Sequence, residues 1–407
     1  MEIQHAIVFF MGMLLLAILV EPLAEKIRLP FSAALLLVGF ISSEILVSFS
    51  IDTGIRWYNF YDLIFYVFLP ILIYEAAFNM DARLLMKNII AVLFMAIPLM
   101  MLSAGLIAVM LYYGIGHPQG FPWIAALLAG ALLSATDPIA VLALFKKIGA
   151  PKRLSVLVDG ESLFNDATAI VMVTLLVSLA MSSQNNFTWS AAALEFLRVF
   201  FGGVLAGLAI GSIGFMLLSR IANAISAGVI SVISAYMAFI LAEGVFHVSG
   251  VMAVLVVGLM MGYASRTRQP QSSRLFMQGL WEYKSYIANA LLFLISGVTI
   301  QLAMFTDQWL AIVIGIVAAL MARAVVVFVC VPGLNVLPGV EQIDMKYRQI
   351  MYWGGIRGAI TLALALSLPT DLPYWWTIQS IAYGVVIFTL FVQAPSMPML
   401  LRKVKLS

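Results

Sequence analysis

Apolar runs of about 20 residues, each closed by a short polar break, repeat along nearly the whole chain. A hydrocarbon layer roughly 30 Å thick takes about 20 helical residues to cross, so the pattern predicts an all-α polytopic membrane protein. Thirteen spans are predicted, near 3–22, 31–50, 60–81, 87–113, 121–147, 156–181, 189–218, 225–245, 248–263, 285–304, 309–331, 348–368 and 374–401. No stretch long enough for a sizeable soluble domain remains. The first run has no basic residue ahead of it and continues into Glu21 and Pro22 without a small-residue cleavage site, so it reads as a transmembrane helix and not as a removable leader.

Composition agrees with the pattern. Of 407 residues, 63% are hydrophobic and 10% charged, far more apolar surface than a water-soluble core can hide. The net charge of +3 comes mainly from residues at predicted helix ends and forms no basic face for nucleic acid. Its distribution orients the chain. With the N-terminus outside the cell membrane and the C-terminus cytoplasmic, 18 of the 22 basic residues fall at inner connections, among them Lys26, Arg28, Arg83, Lys146, Lys147, Lys152, Arg266, Arg402 and Lys405. Only Arg56 falls in an outer loop, while Arg198, Arg323 and Arg357 lie inside spans. An odd number of spans divides into two six-span units, 1 to 6 and 8 to 13, joined by the seventh. The second unit is then inverted relative to the first, as in many secondary transporters.

Two spans are interrupted at matching places in these units. In the fifth, Ser134-Ala135-Thr136-Asp137-Pro138 puts a proline in mid-span, where it removes a backbone donor and disfavours helix for the residue before it. In the twelfth, Gly354, Gly355 and Gly358 surround Ile356 and Arg357. Carbonyls freed at mid-membrane must find partners, and a cation is one possible partner. Asp137 and Asp166 both lie about 15 Å deep, where an ionisable residue is functional by default. Ser162 and Asp166 share one helical face, as do Glu161 and Asn165. A carboxylate, a hydroxyl, a second carboxylate and free carbonyls make an all-oxygen cage suited to a hard cation such as sodium. Desolvation also favours the protonated acid, so proton and cation compete for one group.

The buried arginines need neutralising. Arg323 is expected to pair with Glu161 and Arg357 to lie near Glu75, leaving Asp137 and Asp166 for the ion. Glu243 reads as a structural acid, and Arg198 as a partner of Glu195. His5, His117 and His247 are scattered, and Cys330 is alone, so neither a histidine metal site, a cysteine metal site nor an internal disulfide is expected.

At these residues the sequence resembles the monovalent cation:proton antiporter family, in the sodium/proton branch related to eukaryotic sodium/hydrogen exchangers. The matching segments are Phe68 to Glu75 (FLPILIYE), Ser134 to Pro138 (SATDP), Gly160 to Asp166 (GESLFND), Ala242-Glu243 with Ser249 to Ala253 (SGVMA), Ala322-Arg323 and Gly354 to Ile360 (GGIRGAI). The resemblance implies a secondary active transporter and not an enzyme, without cofactor, exchanging Na+ for H+ as a homodimer in the lipid bilayer. It implies an elevator motion of a core domain (87–181 and 309–401) against a dimerisation domain (1–81 and 225–304), with 189–218 as linker helix. By motif position, Asp137, Asp166, Ser162 and the backbone of Thr136 are the implied cation ligands. Glu161 tied to Arg323, Asn165, Arg357 and Glu75 are the implied supporting residues. An asparagine before the aspartate resembles the electroneutral, one-for-one members. The chain ends at Ser407, six residues past the last predicted span, so the long regulatory tail of the eukaryotic exchangers is not expected. Two rivals of other classes are an intramembrane aspartyl protease, with the two aspartates as a dyad, and a channel, for which no repeated filter segment is visible. Within transport the alternative is a potassium- or lithium-preferring antiporter, since oxygen ligands alone do not set cavity size.

Overall fold

In the computed structural model, residues 3–27, 29–48, 61–116, 120–181, 189–336 and 340–404 are described. Arg28, Arg56, His117 and Lys405 lie outside them, as do the side chains of His5 and Lys147. The described residues form helices and no strand. Nine of the helices are long and apolar enough to cross a membrane, and Phe31–Ile45 and Ile64–Asn79 are shorter apolar helices.

Both predicted interruptions are real breaks. The fifth predicted span is two half-helices, Trp123–Ser134 and Ile139–Ile148. Pro138 sits at the start of the second, where its missing N–H leaves no unmade helical bond. The twelfth is likewise two half-helices, Met345–Trp353 and Ala359–Leu366, separated by the glycine-rich segment.

Two boundaries differ from the sequence pattern for physical reasons. The predicted span at 285–304 is a helix from Gln271 to Thr299. Its first turns carry Arg274, Gln278 and Glu282, too polar for an apolar span, and these residues line an open cavity. The span predicted at 60–81 ends at Asn79, because Asp81 caps the next helix, Ala82–Lys87, accepting from the N–H groups of Arg83 (3.0 Å) and Leu84 (3.1 Å). Hydropathy also gave no sign of five short π-helical turns: Ile64–Phe68, Met95–Leu99, Leu241–Val245, Val325–Cys330 and Thr389–Gln393.

The helices pack in two groups. Phe31–Ser48, Leu69–Asn79, Gly250–Arg268 and Gln271–Thr299 pack with one another, and Trp189–Leu218 lies against Gly250–Arg268. Met100–Gly114, Trp123–Ser134, Lys152–Met181, Trp309–Ala324 and Trp375–Phe388 form the other group. Membrane helices gain little from apolar burial against each other, so close backbone approach through small residues matters. A Cβ on Gly297 would run into the Leu36 carbonyl oxygen, and one on Gly130 into that of Ala104. A cavity of about 740 Å³ opens between the two groups.

Candidate functional site

The two broken segments cross and bond to each other. The Asp137 N–H donates to the Ile356 carbonyl at 2.6 Å. Four half-helix ends meet here, two with exposed N–H groups and two with exposed carbonyls, and each kind carries a partial charge. Asp137 serves both N-terminal ends: its Oδ1 accepts from Ile139 N–H (3.0 Å) and its Oδ2 from Ala359 N–H (3.3 Å). Arg357 serves both C-terminal ends. Its Nε donates to the Leu133 carbonyl (3.0 Å) and its Nη1 to that of Gly355 (2.6 Å). Its backbone N–H donates to Thr389 Oγ1 at 3.2 Å, which fastens the break to the last long helix.

Beside the crossing runs the unbroken helix Lys152–Met181. Ser162 Oγ donates to the Thr136 carbonyl, and Asn165 grips the same residue twice. Asn165 Nδ2 donates to Thr136 Oγ1 at 2.9 Å, and Thr136 N–H points to Asn165 Oδ1 at 3.5 Å. Thr136, Ser162 and Asn165 are all buried. Asp166 is not sealed in: with Asp137 and Ser162 it lines the cavity between the two helix groups. Three of the four implied ligands, Asp137, Ser162 and Asp166, therefore line one cavity, and the fourth, Thr136, is held against Ser162 by its carbonyl.

Glu161 points the other way from the cavity, into an ion pair with Arg323 made through both guanidinium Nη atoms; one of the contacts is 3.1 Å. Arg323 Nη2 and Nε also donate to the Met351 carbonyl (3.0 and 3.2 Å), at the end of the half-helix Met345–Trp353. Both charged side chains are buried. The pair thus ties the Asp166 helix to the broken one. Removing charges from water this completely is tolerable only when each is paired and hydrogen-bonded.

A family profile described as the transmembrane sodium/hydrogen exchanger matches residues 12–403. The chain belongs to that family. It is 36% identical over 341 residues to the low-affinity Na(+)/H(+) antiporter NhaS1 of Synechocystis sp., a match covering 82% of this chain and 63% of the relative. It is 34% identical over 352 residues to the Na(+)/H(+) antiporter ApNhaP of Aphanothece halophytica, covering 85% of this chain and 65% of that one. The chain thus spans a little under two thirds of the length of these relatives. Among solved structures it is similar to the sodium proton antiporter MjNhaP1 of Methanocaldococcus jannaschii, with a TM-score of 0.82 over 97% of this chain and 100% of the other. At 20% identity that likeness is one of fold.

Within this exchanger fold, the pairing of Arg323 with Glu161 is as expected, while that of Arg357 with Glu75 is not. Glu75 instead accepts from Asn79 Nδ2 at 2.6 Å and from Ser285 Oγ at 3.5 Å. Arg357 has no salt bridge to a described carboxylate. The reason is local: two C-terminal helix ends offer the guanidinium carbonyls beside its own backbone, and their partial negative charge replaces a carboxylate. Asp137 has part of its accepting capacity committed, because each of its oxygens already accepts one N–H, which leaves each a second lone pair. The aspartyl-protease alternative is not supported, since a catalytic dyad needs two acids sharing a proton and Asp137 is a helix cap. Glu243 accepts from Gly250 N–H at 2.9 Å and Arg198 meets Glu195 at 2.8 Å, both structural contacts.

Sequence reasoning missed Asn79, Ser285 and Thr389. Asn79 was within reach, lying four residues after Glu75 on one helical face. Ser285 and Thr389 are distant in sequence from what they touch and carried no signal.

Proposed function

We propose that this chain is a secondary active sodium/proton antiporter in which Na+ and H+ compete for Asp166. The observation that carries the reading is that Asp166, Ser162 and Asp137 line one cavity that ends at the crossing of the broken helices. Ser162 Oγ and the Thr136 carbonyl are held against each other there, so a cation beside Asp166 meets two neutral oxygens already in place. Asp137 joins as a ligand only through lone pairs not taken by its two N–H donors. The printed names of the relatives agree with sodium and proton as the exchanged ions.

The same reading extends to stoichiometry and motion. Asn165, occupied with Thr136, carries no charge, which favours one Na+ for one H+. Thirteen spans with inverted six-span units, the N-terminus outside and the C-terminus cytoplasmic, fit the order of helices and the basic residues at their ends. We read the two packing groups as a dimerisation domain (1–81 and 225–304) and a core domain (87–181 and 309–401) joined by the helix at 189–218. A core sliding past a homodimeric partner in the bilayer would carry Asp166 between the two sides. On this orientation the cavity, with Lys146, Arg266 and Arg274 among its lining residues, faces the cytoplasm.

In vesicles carrying a proton gradient, added Na+ should dissipate the gradient, and Asp166→Asn should abolish the response. A variant with normal rates would sink the proposal. Comparing Na+, Li+ and K+ in the same vesicles decides between this reading and a potassium- or lithium-preferring exchanger. An exchange rate that responds strongly to imposed membrane potential would contradict one-for-one stoichiometry.

A further inference from the structure

The helix that carries Asp166 carries the same pair of residues twice. Ser155 and Asp159 are four apart, Ser162 and Asp166 are four apart, and the second pair follows the first by seven residues. Offsets of four, seven and eleven each return close to a whole number of helical turns, so all four side chains share one face. That face is turned to a single space, for Ser155, Asp159, Ser162 and Asp166 all line the cavity of about 740 Å³. Seven residues of helix rise about 10.5 Å, which sets Asp159 two turns out from Asp166 toward the helix end at Lys152.

The surroundings of Asp159 suit a visiting cation. The charges acting on it are Glu75, Lys146 and Asp137, and Glu75 lines the same cavity from the facing helix Leu69–Asn79. Lys146 is exposed, and no salt bridge joins Asp159 to a described residue. A sodium ion at Asp159 would therefore have no fixed ion pair to break. Ser265 gives an independent sign of an occupant. It is 1% exposed, lines this cavity, and its hydroxyl has no hydrogen-bond partner among the described residues. A buried hydroxyl in that position is satisfied by whatever fills the space beside it. No three acids or other metal-binding side chains converge among the described residues tightly enough to hold a metal ion, so the place is not a tight multidentate metal site.

We propose that Asp159, with Ser155 beside it and Glu75 across the cavity, forms an outer cation station that an ion occupies on its way to Asp166. The station's role in transport rests on the antiporter reading, but its binding of the ion does not. The cavity carries Glu75, Asp137, Asp159, Asp166 and Glu282 against Lys146, Arg266 and Arg274; an excess of acids raises the local concentration of cations, and the station holds them two turns from the exchange site.

Calorimetric titration of purified protein with Na+ tests the binding. Asp166→Asn protein, with the outer pair intact, should bind Na+ weakly, and the double variant Asp159→Asn/Asp166→Asn should bind none. Equal heats from the two would overturn the station. In vesicles, Asp159→Asn should raise the KM for Na+ about fivefold or more, with a far smaller change in maximal rate. Ser155→Ala should move KM the same way, and Asp159→Glu should restore it, which a merely structural role would not predict. A KM unchanged in Asp159→Asn also overturns the station. Wild-type vesicles that ignore Na+, alongside Asp159-dependent binding to Asp166→Asn protein, would count against the antiporter reading and leave the station standing.

Discussion

Asp166 and Glu161 sit five residues apart on one helix yet face opposite demands. Asp166 opens on the cavity, whereas Glu161 is sealed against Arg323. The proposed competition at Asp166 implies a pH dependence of definite sign. Acid fills the site with protons, so the apparent KM for Na+ should rise as pH falls, by up to about tenfold per pH unit if one proton displaces one cation. Initial rates of Na+-driven proton movement over a pH series check this, and a KM independent of pH would contradict shared occupancy. At Glu161 the expected effect is on stability. Glu161→Ala leaves the Arg323 guanidinium buried without its carboxylate, at a cost of about 3–5 kcal/mol, readable in the thermal unfolding of purified protein. Replacing Glu161 and Arg323 together by methionine should recover most of that loss.

At the scale of elements, the crossing works because opposite charges cap opposite helix ends. Asp137 meets two N-termini and Arg357 two C-termini. Buried helix-end interactions of this kind contribute up to about 2 kcal/mol each, so Asp137→Ala should lower the unfolding temperature as well as remove transport. Gly358 is the tightest point. A Cβ there would overlap the Asp137 carboxylate, so Gly358→Ala should force the two breaks apart and abolish exchange even though Asp166 is untouched. Retention of full activity in that variant would mean that the crossing is not needed for the ion site. Both breaks were legible from Pro138 and the glycines around Arg357, because these residues forbid or weaken regular helix wherever they stand. Which groups each break would hold was not legible. The expected contact of Arg357 with Glu75 assumed that a buried cation needs a carboxylate, and helix-end carbonyls supplied the charge instead.

For the whole molecule, transport by a sliding core requires the two packing groups to change their relative position. A second cavity, of about 710 Å³, is lined by Leu35 from one group and by Ala140, beside Asp137, from the crossing. In a protein with Cys330 replaced by serine, cysteines at positions 35 and 140 joined by a bifunctional maleimide should hold the groups together and stop exchange. Each single-cysteine variant should keep it. Activity surviving the cross-link would rule out relative motion at that boundary.

The sequence by itself determined the helices, their breaks and the acids, since backbone hydrogen bonding in a bilayer and the cost of burying charge act on each segment locally. Nine of the described helices are long and apolar enough to cross, and a carboxylate in mid-span is costly enough to stand out. Only the tertiary structure decided how the charges divide their tasks. Asp137 became a cap because two helix N-termini converge on it, and Arg357 became a cap because two C-termini do. Asp166 stayed open to the cavity because its neighbours on the helix, Glu161 and Asn165, were turned to Arg323 and Thr136. Those outcomes depend on which elements meet in space, a long-range choice that no single stretch of sequence carries.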